Sequence, residues 1–362
     1  MFSPVFRITP AIATALMAIE ADRQVIMELP ITVELLAGLR YSAQLAATHY
    51  STQIEGNRLT QAQVEHVLAG AHFPGRERDE AEVRNYYKAL EYVETIAAED
   101  GPISEDTVRR IHSLVMTGKP ASEPYRQGQT VIRDGASGAI VYLPPEAPDV
   151  PALMTELFAW ISEQIDKREL PGPIVAGLAH YQYATIHPYF DGNGRTARLL
   201  ATLVLHRAGY GLKGIYSLDQ HYAQDLASYY KALAVGPSHN YYLGRAEADI
   251  TGFVGSFCQS MADALGAVRS RATEAATASS TADDSAVLRR LDPRRRLLLE
   301  LFHRTPTATT AQMAAHLGLS PRTVGSLVPR WTEEGFLELA DASRRSRSYR
   351  LTPPYDRLAR RS

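Results

Sequence analysis

The sequence predicts a mainly α-helical protein with a small β-containing C-terminal domain, and three observations carry that expectation. Apolar residues recur at three- and four-residue spacing through most of the chain. Polar loops and prolines such as Pro30 interrupt these stretches, often with Thr, Ser or Asp just before the next one begins. Alternating, β-branched patterns are confined to residues 130–145 and the end of the chain. At 362 residues the chain exceeds one ordinary domain, so two or three domains and a substantial core are expected.

Taken in order, residues 11–29 and 33–55 have the spacing of two helices, with Pro30 as the break between them. Further helices are expected over 60–71, 79–98, 104–117, 151–169 and 172–187. The stretch TVIRDGASGAIVYLPP, residues 130–145, differs: two short β-branched runs flank Gly135 and Gly138, which predicts an isolated hairpin closed by a double proline. Helices are expected again over 221–235 and 246–272. Residues 272–286 are small and polar, which suits a linker, although their alanines would also prolong the preceding helix. No internal repeat is present.

The last eighty or so residues follow their own pattern. RRRLLLELFHR, TTAQMAAHLGLS and PRTVGSLVPRWTEEGFL read as three helices, and LELADASRRSRSYRLTP reads as two strands around an arginine-rich tip. That order is the order of a winged helix-turn-helix, with Arg322, Thr323, Ser326 and Arg330 on the candidate recognition helix and Arg344, Arg345 and Arg347 in the wing. From Ser285 onward the chain carries fifteen arginines, no lysine and seven acidic residues, a charge of +8 against −10 for the rest. Such asymmetry suits contact with DNA phosphates, whereas a dimerisation or partner module with a merely basic surface is the plainer alternative. One cysteine, Cys258, excludes an internal disulfide and suits a reducing cytoplasm. No apolar run approaches the ~18 residues that a membrane span needs, so a soluble cytoplasmic protein is expected.

The densest chemistry lies in HPYFDGNGRTAR, residues 187–198. Pro188 disfavours the helical region for His187, so the imidazole should sit at a helix end. Gly192 and Gly194 allow a tight curl into the next helix, where the amides of Gly192, Asn193 and Gly194 would converge on an anion. Arg195 and Arg198, three apart on that helix, can grip further phosphates, while Leu199, Leu200, Leu203 and Val204 bury the opposite side. A carboxylate at such a mouth calls for a cation, so Asp191 is the candidate ligand for Mg²⁺ bridging phosphate oxygens. A histidine beside it can accept a proton from an attacking hydroxyl, which points to nucleotidyl or phosphoryl transfer from a nucleoside triphosphate.

An isolated Asp-Gly-Asn-Gly string is usually a turn, and a histidine beside proline is usually structural. Their coincidence with both arginines is what favours a functional site. A Zn²⁺ pair of His180 and His187 with Asp191 is disfavoured, because Pro188 breaks the shared face and no third ligand is properly spaced. Neither a P-loop pattern nor HExxH occurs.

These twelve residues resemble the Fic motif HPFx[D/E]GNGRxxR, with Tyr189 in place of the usual phenylalanine. The resemblance extends over about residues 30–260 and implies His187 as general base, Asp191 as Mg²⁺ ligand, Gly192 to Gly194 as anion hole, and Arg195 and Arg198 as phosphate clamps. It implies a protein adenylyltransferase that moves AMP from ATP to a Ser, Thr or Tyr hydroxyl of a target protein. The hairpin over 130–143 falls where Fic proteins carry a flap that pairs with the target's backbone. By the same resemblance Ile140, Val141 and Tyr142 line the nucleotide and target side, and Tyr229, paired with Tyr230, lies near adenine. Pro237 stands where an asparagine is often found.

STQIEGN, residues 51–57, is the second motif. Ser51 and Glu55 share a helix face, and Gly56 is placed to end the helix, so Glu55 opposes the negative end of the helix dipole and requires a positive partner. The stretch resembles the Fic inhibitory motif [S/T]xxxE[G/N], which implies that Glu55 pairs with Arg198 and that residues of about 45–56 form an N-terminal inhibitory helix. The expected organisation is therefore an N-terminal helical region over 1–100, a Fic core over 101–270, a linker over 271–286 and a winged helix-turn-helix over 287–362. The expected partners are ATP, a protein with an acceptor hydroxyl and, through the C-terminal domain, DNA; a homodimer is compatible with the sequence. A rival reading is a DNA-binding regulator whose Fic-like core senses nucleotide without transferring it, and AMP removal or transfer of another nucleotide fits the same scaffold.

Overall fold

The structure is a computed structural model, and it describes residues 2–29, 31, 33–99, 101–122, 124–133, 137–236, 238–278, 291–341, 343 and 347–360. The chain forms two compact units, one of Met1–Gln24 with Arg40–Val268 and one of Val25–Leu39 with Arg269–Ser362.

The larger unit is helical, and the described helices that build the site follow from their caps and apolar spacing. They are α1 (Pro10–Glu28), α2 (Val33–Ile54), α3 (Gln61–Leu68), α4 (Glu77–Ala97), α5 (Glu105–Thr117), α6 (Val150–Lys167), α7 (Gly172–Ile186) and α8 (Asn193–Arg207). Thr60 and Gln63 close a capping box at α3, and the Ser104 hydroxyl accepts the Thr107 amide at α5, as their sequence positions lead one to expect. Helix α7 is apolar all round, and Ile174, Leu178, Tyr183 and Ile186 are completely buried. Such a helix belongs in the middle of a core. It packs against α6 and α8, while α8 also touches α4 and α5. The loop that joins α7 to α8 is thereby held at both ends by buried helices.

Two short strands, β1 (Ile132–Arg133) and β2 (Ile140–Tyr142), form the expected hairpin, paired antiparallel with Ile132 opposite Tyr142 and Arg133 opposite Ile140. Gly135 at its tip lies outside the described residues. The helix expected over 221–235 is two helices, α9 (Asp219–Gln224) and α10 (Leu226–Leu233). Asp225 breaks it, because its non-helical backbone lets the carboxylate cap the Ser228 amide. Helix α11 (Thr251–Ala278) runs through the alanines that follow residue 271, where high helix propensity overrides the small, polar composition.

The smaller unit has α12 (Pro293–Arg304), β3 (Ala308–Thr309), α13 (Thr310–Leu317), α14 (Pro321–Glu333), β4 (Leu337–Asp341), β5 (Ser348–Leu351) and α15 (Pro353–Arg360). The strands form one antiparallel sheet in the order β3, β5, β4. Asp292, Thr309 and Ser320 cap the three leading helices, and Gly318 ends α13 with a φ of 63°. Leu298, Phe302, Met313, Val328, Trp331 and Phe336 fill the core. Three helices and a hairpin follow the expected order, while strand β3 and helix α15 are additions that their two- and eight-residue lengths conceal from periodicity.

Candidate active site

The backbone at His187 is unusual. Its N–H closes α7 on the Tyr183 carbonyl at 3.0 Å, and the residue then turns left-handed, with φ 52° and ψ 60°. A non-glycine residue there costs about 1–2 kcal/mol, and Pro188 forbids the helical alternative. The residue is half-buried, and desolvation lowers its ring's pKa to about 4 with help from the nearby Arg126 charge, against the upward pull of the Ala184 backbone hydrogen bond, Glu55 and Asp191. His187 is therefore neutral at pH 7 and able to accept a proton.

The next turn is built from reciprocal hydrogen bonds. The Asn193 side chain accepts the Tyr189 amide at 3.0 Å and donates to the Tyr189 carbonyl at 2.8 Å, which fixes the loop against the start of α8. His112, on α5, donates from Nε2 to the Asp191 carbonyl at 2.9 Å and lies flat on the Tyr189 ring, 3.4 Å between centroids and 6° from parallel. Gly192 needs its φ of 77°, and a Cβ there would strike the Met116 sulfur. A Cβ on Gly194 would collide with the Glu55 carboxylate and come within 3.2 Å of an Arg198 nitrogen.

One expectation about the cradle needs correcting. The Gly192 amide does not face an anion site, because it donates to Asp191 Oδ1 at 2.6 Å. The amides available at this helix start are those of Asn193, Gly194 and Arg195, the first-turn donors that have no intrahelical acceptor. Asp191 Oδ1 also pairs with Arg195 at 3.2 Å, while 57% of the Asp191 side chain stays exposed. No cluster of three or more metal-ligating side chains occurs among the described residues. A lone accessible carboxylate fits Mg²⁺, which is commonly held by one or two carboxylates together with substrate phosphates.

Arg198 is buried, and its guanidinium meets Ser51 and Glu55 at the end of α2 and Asp219 on α9. Nε donates to Ser51 Oγ at 2.9 Å, and Nη2 donates to the Ser51 carbonyl at 2.9 Å and to Glu55 Oε1 at 3.0 Å. Ser51 on the last turn of α2 and Glu55 in the turn just past its end reach it together, the Glu55 amide still bonding back to the Thr52 carbonyl. Asp219, at the first position of α9, lies 3.0 Å from Arg198 Nε, and its burial raises its own pKa against the pull of that guanidinium. The Glu55 carboxylate thus rests on the head of α8, against Gly194 and Arg198, where the sequence places an incoming phosphate.

The remaining residues divide by exposure. Tyr229 is buried, with its hydroxyl 3.0 Å from His180 Nε2 and its ring stacked on Tyr222 at 4.7 Å. An open adenine contact at Tyr229 is not what this placement offers. Tyr230 is 48% exposed above the end of α2, with its hydroxyl 3.4 Å from the Ile54 carbonyl. In the hairpin, Ile140 and Val141 are exposed, whereas Tyr142 is buried and donates to the Thr185 carbonyl at 2.7 Å. Tyr142 therefore anchors the hairpin to α7 and does not line its outer face. Pro237 lies outside the described residues.

On the smaller unit, Arg322, Thr323, Ser326 and Arg330 all lie exposed on α14. Arg330 is tied to Glu334 at 2.7 Å. Arg347 is exposed, while Arg344 and Arg345 lie outside the described residues.

Sequence reasoning missed Asp219, His112 and Arg126. No local pattern marks the first two, since each reaches the motif only through tertiary packing.

Comparison with known proteins places this geometry. Residues 102–205 match the Fic/DOC family. The chain is 34% identical over 182 residues to a protein adenylyltransferase Fic of Nematostella vectensis, covering 48% of this chain and 40% of that one. It is 31% identical over 164 residues to a protein adenylyltransferase Fic of Drosophila grimshawi, covering 45% and 33%. The matched stretch thus spans less than half the length of either curated relative. Among solved structures, a Fic family protein from Desulfovibrio desulfuricans G20 superposes with a TM-score of 0.60 at 26% identity over 97% of this chain and 99% of that one. These likenesses mark residues 102–205 as similar to the Fic/DOC family, within a mainly helical fold like that of a solved Fic family protein.

Proposed function

We propose that the chain is a protein adenylyltransferase, held in check by Glu55, that transfers AMP from ATP to a Ser, Thr or Tyr hydroxyl. The single observation that carries this reading is His187 beside the start of α8, where first-turn amides and two arginines face a carboxylate of the same chain, Glu55. The phosphates of ATP would bind to the amides of Asn193, Gly194 and Arg195 and to both guanidiniums. Asp191 would hold Mg²⁺, which offsets phosphate charge and orients the triphosphate. His187 takes the proton from the acceptor hydroxyl, whose oxygen attacks the α-phosphorus, and pyrophosphate leaves. The exposed edge of the hairpin would pair with the target's backbone. Tyr230 is the better placed of the two tyrosines to meet the adenine.

With Glu55 on Arg198, a γ-phosphate would lose one clamp and meet a like charge. Determining the Glu55→Gly structure with a non-hydrolysable ATP analogue tests the reading. Phosphate oxygens should lie within hydrogen-bond distance of the amides of Asn193 to Arg195, and phosphates bound elsewhere would overturn it.

The pH dependence follows from His187. With its pKa lowered to about 4, the imidazole loses its basic form only as pH falls through that value, so transfer by the Glu55→Gly variant should show no His187 limb between pH 6 and 8. The acid limb should lie below pH 5, because desolvation outweighs the carboxylates that raise this pKa. A rate profile with its acid limb near the ordinary histidine value of ~6.5 would contradict that assignment.

For the smaller unit we read a winged helix whose exposed α14 face meets DNA, a reading favoured by the exposure of Arg322 and Arg347 in an arginine-rich part of the chain. The full chain should then shift duplex DNA at low salt, with affinity falling steeply as salt rises, by a slope of roughly 0.9 per phosphate neutralised. Absence of any shift at low salt counts against it.

A further inference from the structure

We infer that Arg126 is a positioning residue that fixes His187 and the base of the hairpin flap together through one buried guanidinium. The inference rests on His187 acting as the base. Arg126 precedes the hairpin and is 3% exposed, with its Nε donating to the His187 carbonyl at 2.9 Å. Its own amide donates to the Pro188 carbonyl at 3.0 Å. The peptides on both sides of Pro188 are therefore held by one residue, immediately after the left-handed turn at His187. Nη1 reaches the Gly128 carbonyl at 3.0 Å, and Nη2 donates to the Pro145 carbonyl. Those two carbonyls bracket the hairpin, one just before β1 and the other just after β2.

A buried cation is normally paired with a carboxylate. Among the described residues none pairs with Arg126, and backbone carbonyls alone satisfy it. Retaining a charge there at the cost of desolvation is intelligible if the fork geometry is needed, since only a guanidinium presents donors in three directions from a planar head. A neutral side chain of similar size would fill the space but could not span the His187 peptide and both ends of the hairpin. The consequence is mechanical. The base that receives the acceptor's proton and the strand edge that presents the acceptor share one rigid support, so the distance between them is set before the target arrives. The nucleotide cradle at the start of α8 is held separately, by Asn193 and His112.

The test compares Arg126→Gln and Arg126→Lys, each placed in the Glu55→Gly chain. For the glutamine variant, kcat for transfer should fall roughly 100-fold while KM for ATP changes less than about 3-fold, the pattern of a misplaced base beside an intact cradle. Lysine keeps the charge but not the fork and should recover less than about a tenth of the lost rate. Hydrogen exchange on the same full-length chains reads the geometry without any reaction: amides of β1, β2 and position 126, the last of which donates to the Pro188 carbonyl, should exchange faster, with α4, α5 and the Tyr189 amide held by Asn193 unchanged. An unaltered kcat, a matching rise in KM, or exchange that is unchanged or faster throughout both variants would overturn the inference. If the Glu55→Gly parent itself transfers no nucleotide, the proposed activity fails on its own, and the exchange comparison alone decides whether Arg126 couples His187 to the hairpin.

Discussion

Replacing His187 with alanine is expected to abolish AMP transfer, by roughly 10²–10⁴-fold, the usual contribution of a general base. Three features make the effect this large. The ring lies at the end of α7 in a left-handed conformation that its neighbours enforce, it is partly open to solvent, and desolvation keeps it unprotonated. Among the described residues near the loop, His112 has a similarly lowered pKa, but it is committed to the Asp191 carbonyl and the Tyr189 ring and cannot substitute. ATP affinity should survive, because the amides and guanidiniums of the cradle belong to α8. Measuring transfer and ATP binding on the same preparation separates the two. Transfer undiminished in His187→Ala would remove the base from the mechanism, and loss of both transfer and binding would show that the loop had collapsed.

The Glu55→Gly change is expected to raise transfer, including onto the chain itself. The carboxylate makes one charge-assisted contact with Arg198 at 3.0 Å, and such a bond contributes about 1.5–3 kcal/mol. If all of it were released to the phosphate, the gain would be on the order of 10- to 150-fold. Two neighbouring residues temper that figure. Ser51 still binds Arg198 through its hydroxyl and carbonyl, and Asp219 still flanks its Nε. Arg198 therefore stays oriented when Glu55 is gone, which favours a clamp ready for phosphate over a collapsed side chain. Glycine at 55 would also set two glycines in the turn after α2, so Glu55→Gln is the companion change that removes charge while keeping a side chain there. Activity should rise in both; a chain as silent as the parent in both would place the restraint elsewhere.

Much of this site is visible in the primary structure because it is local. Residues 187–198 bring a histidine, a carboxylate, glycines and arginines within one turn and the first coils of a helix, and residues 51–57 place Ser51 and Glu55 on one face. The boundaries of α7 and α8 follow from Pro188 and the glycines, and the caps of the smaller unit follow from Thr309 and Ser320. What could not be read is what depends on folding at a distance. Asp219 meets Arg198 only because α9 packs behind α8, and Arg126 reaches the loop from more than sixty positions away. The engagement of the Gly192 amide depends on which way the Asp191 carboxylate turns, and no spacing rule determines that. The sequence resemblance puts Tyr142 on the nucleotide and target side of the hairpin and Tyr229 near adenine, but aromatic side chains with a polar tip are readily buried when a partner such as His180 or the Thr185 carbonyl is present.

The most direct measurement of the central claim is incubation of the Glu55→Gly chain and a protein extract with ATP labelled on either the α- or the γ-phosphate. The account predicts protein-bound label from the α-position only, released pyrophosphate in equal amount, and neither when His187 is also alanine. Label carried from the γ-position, or α-label that persists without His187, would contradict it.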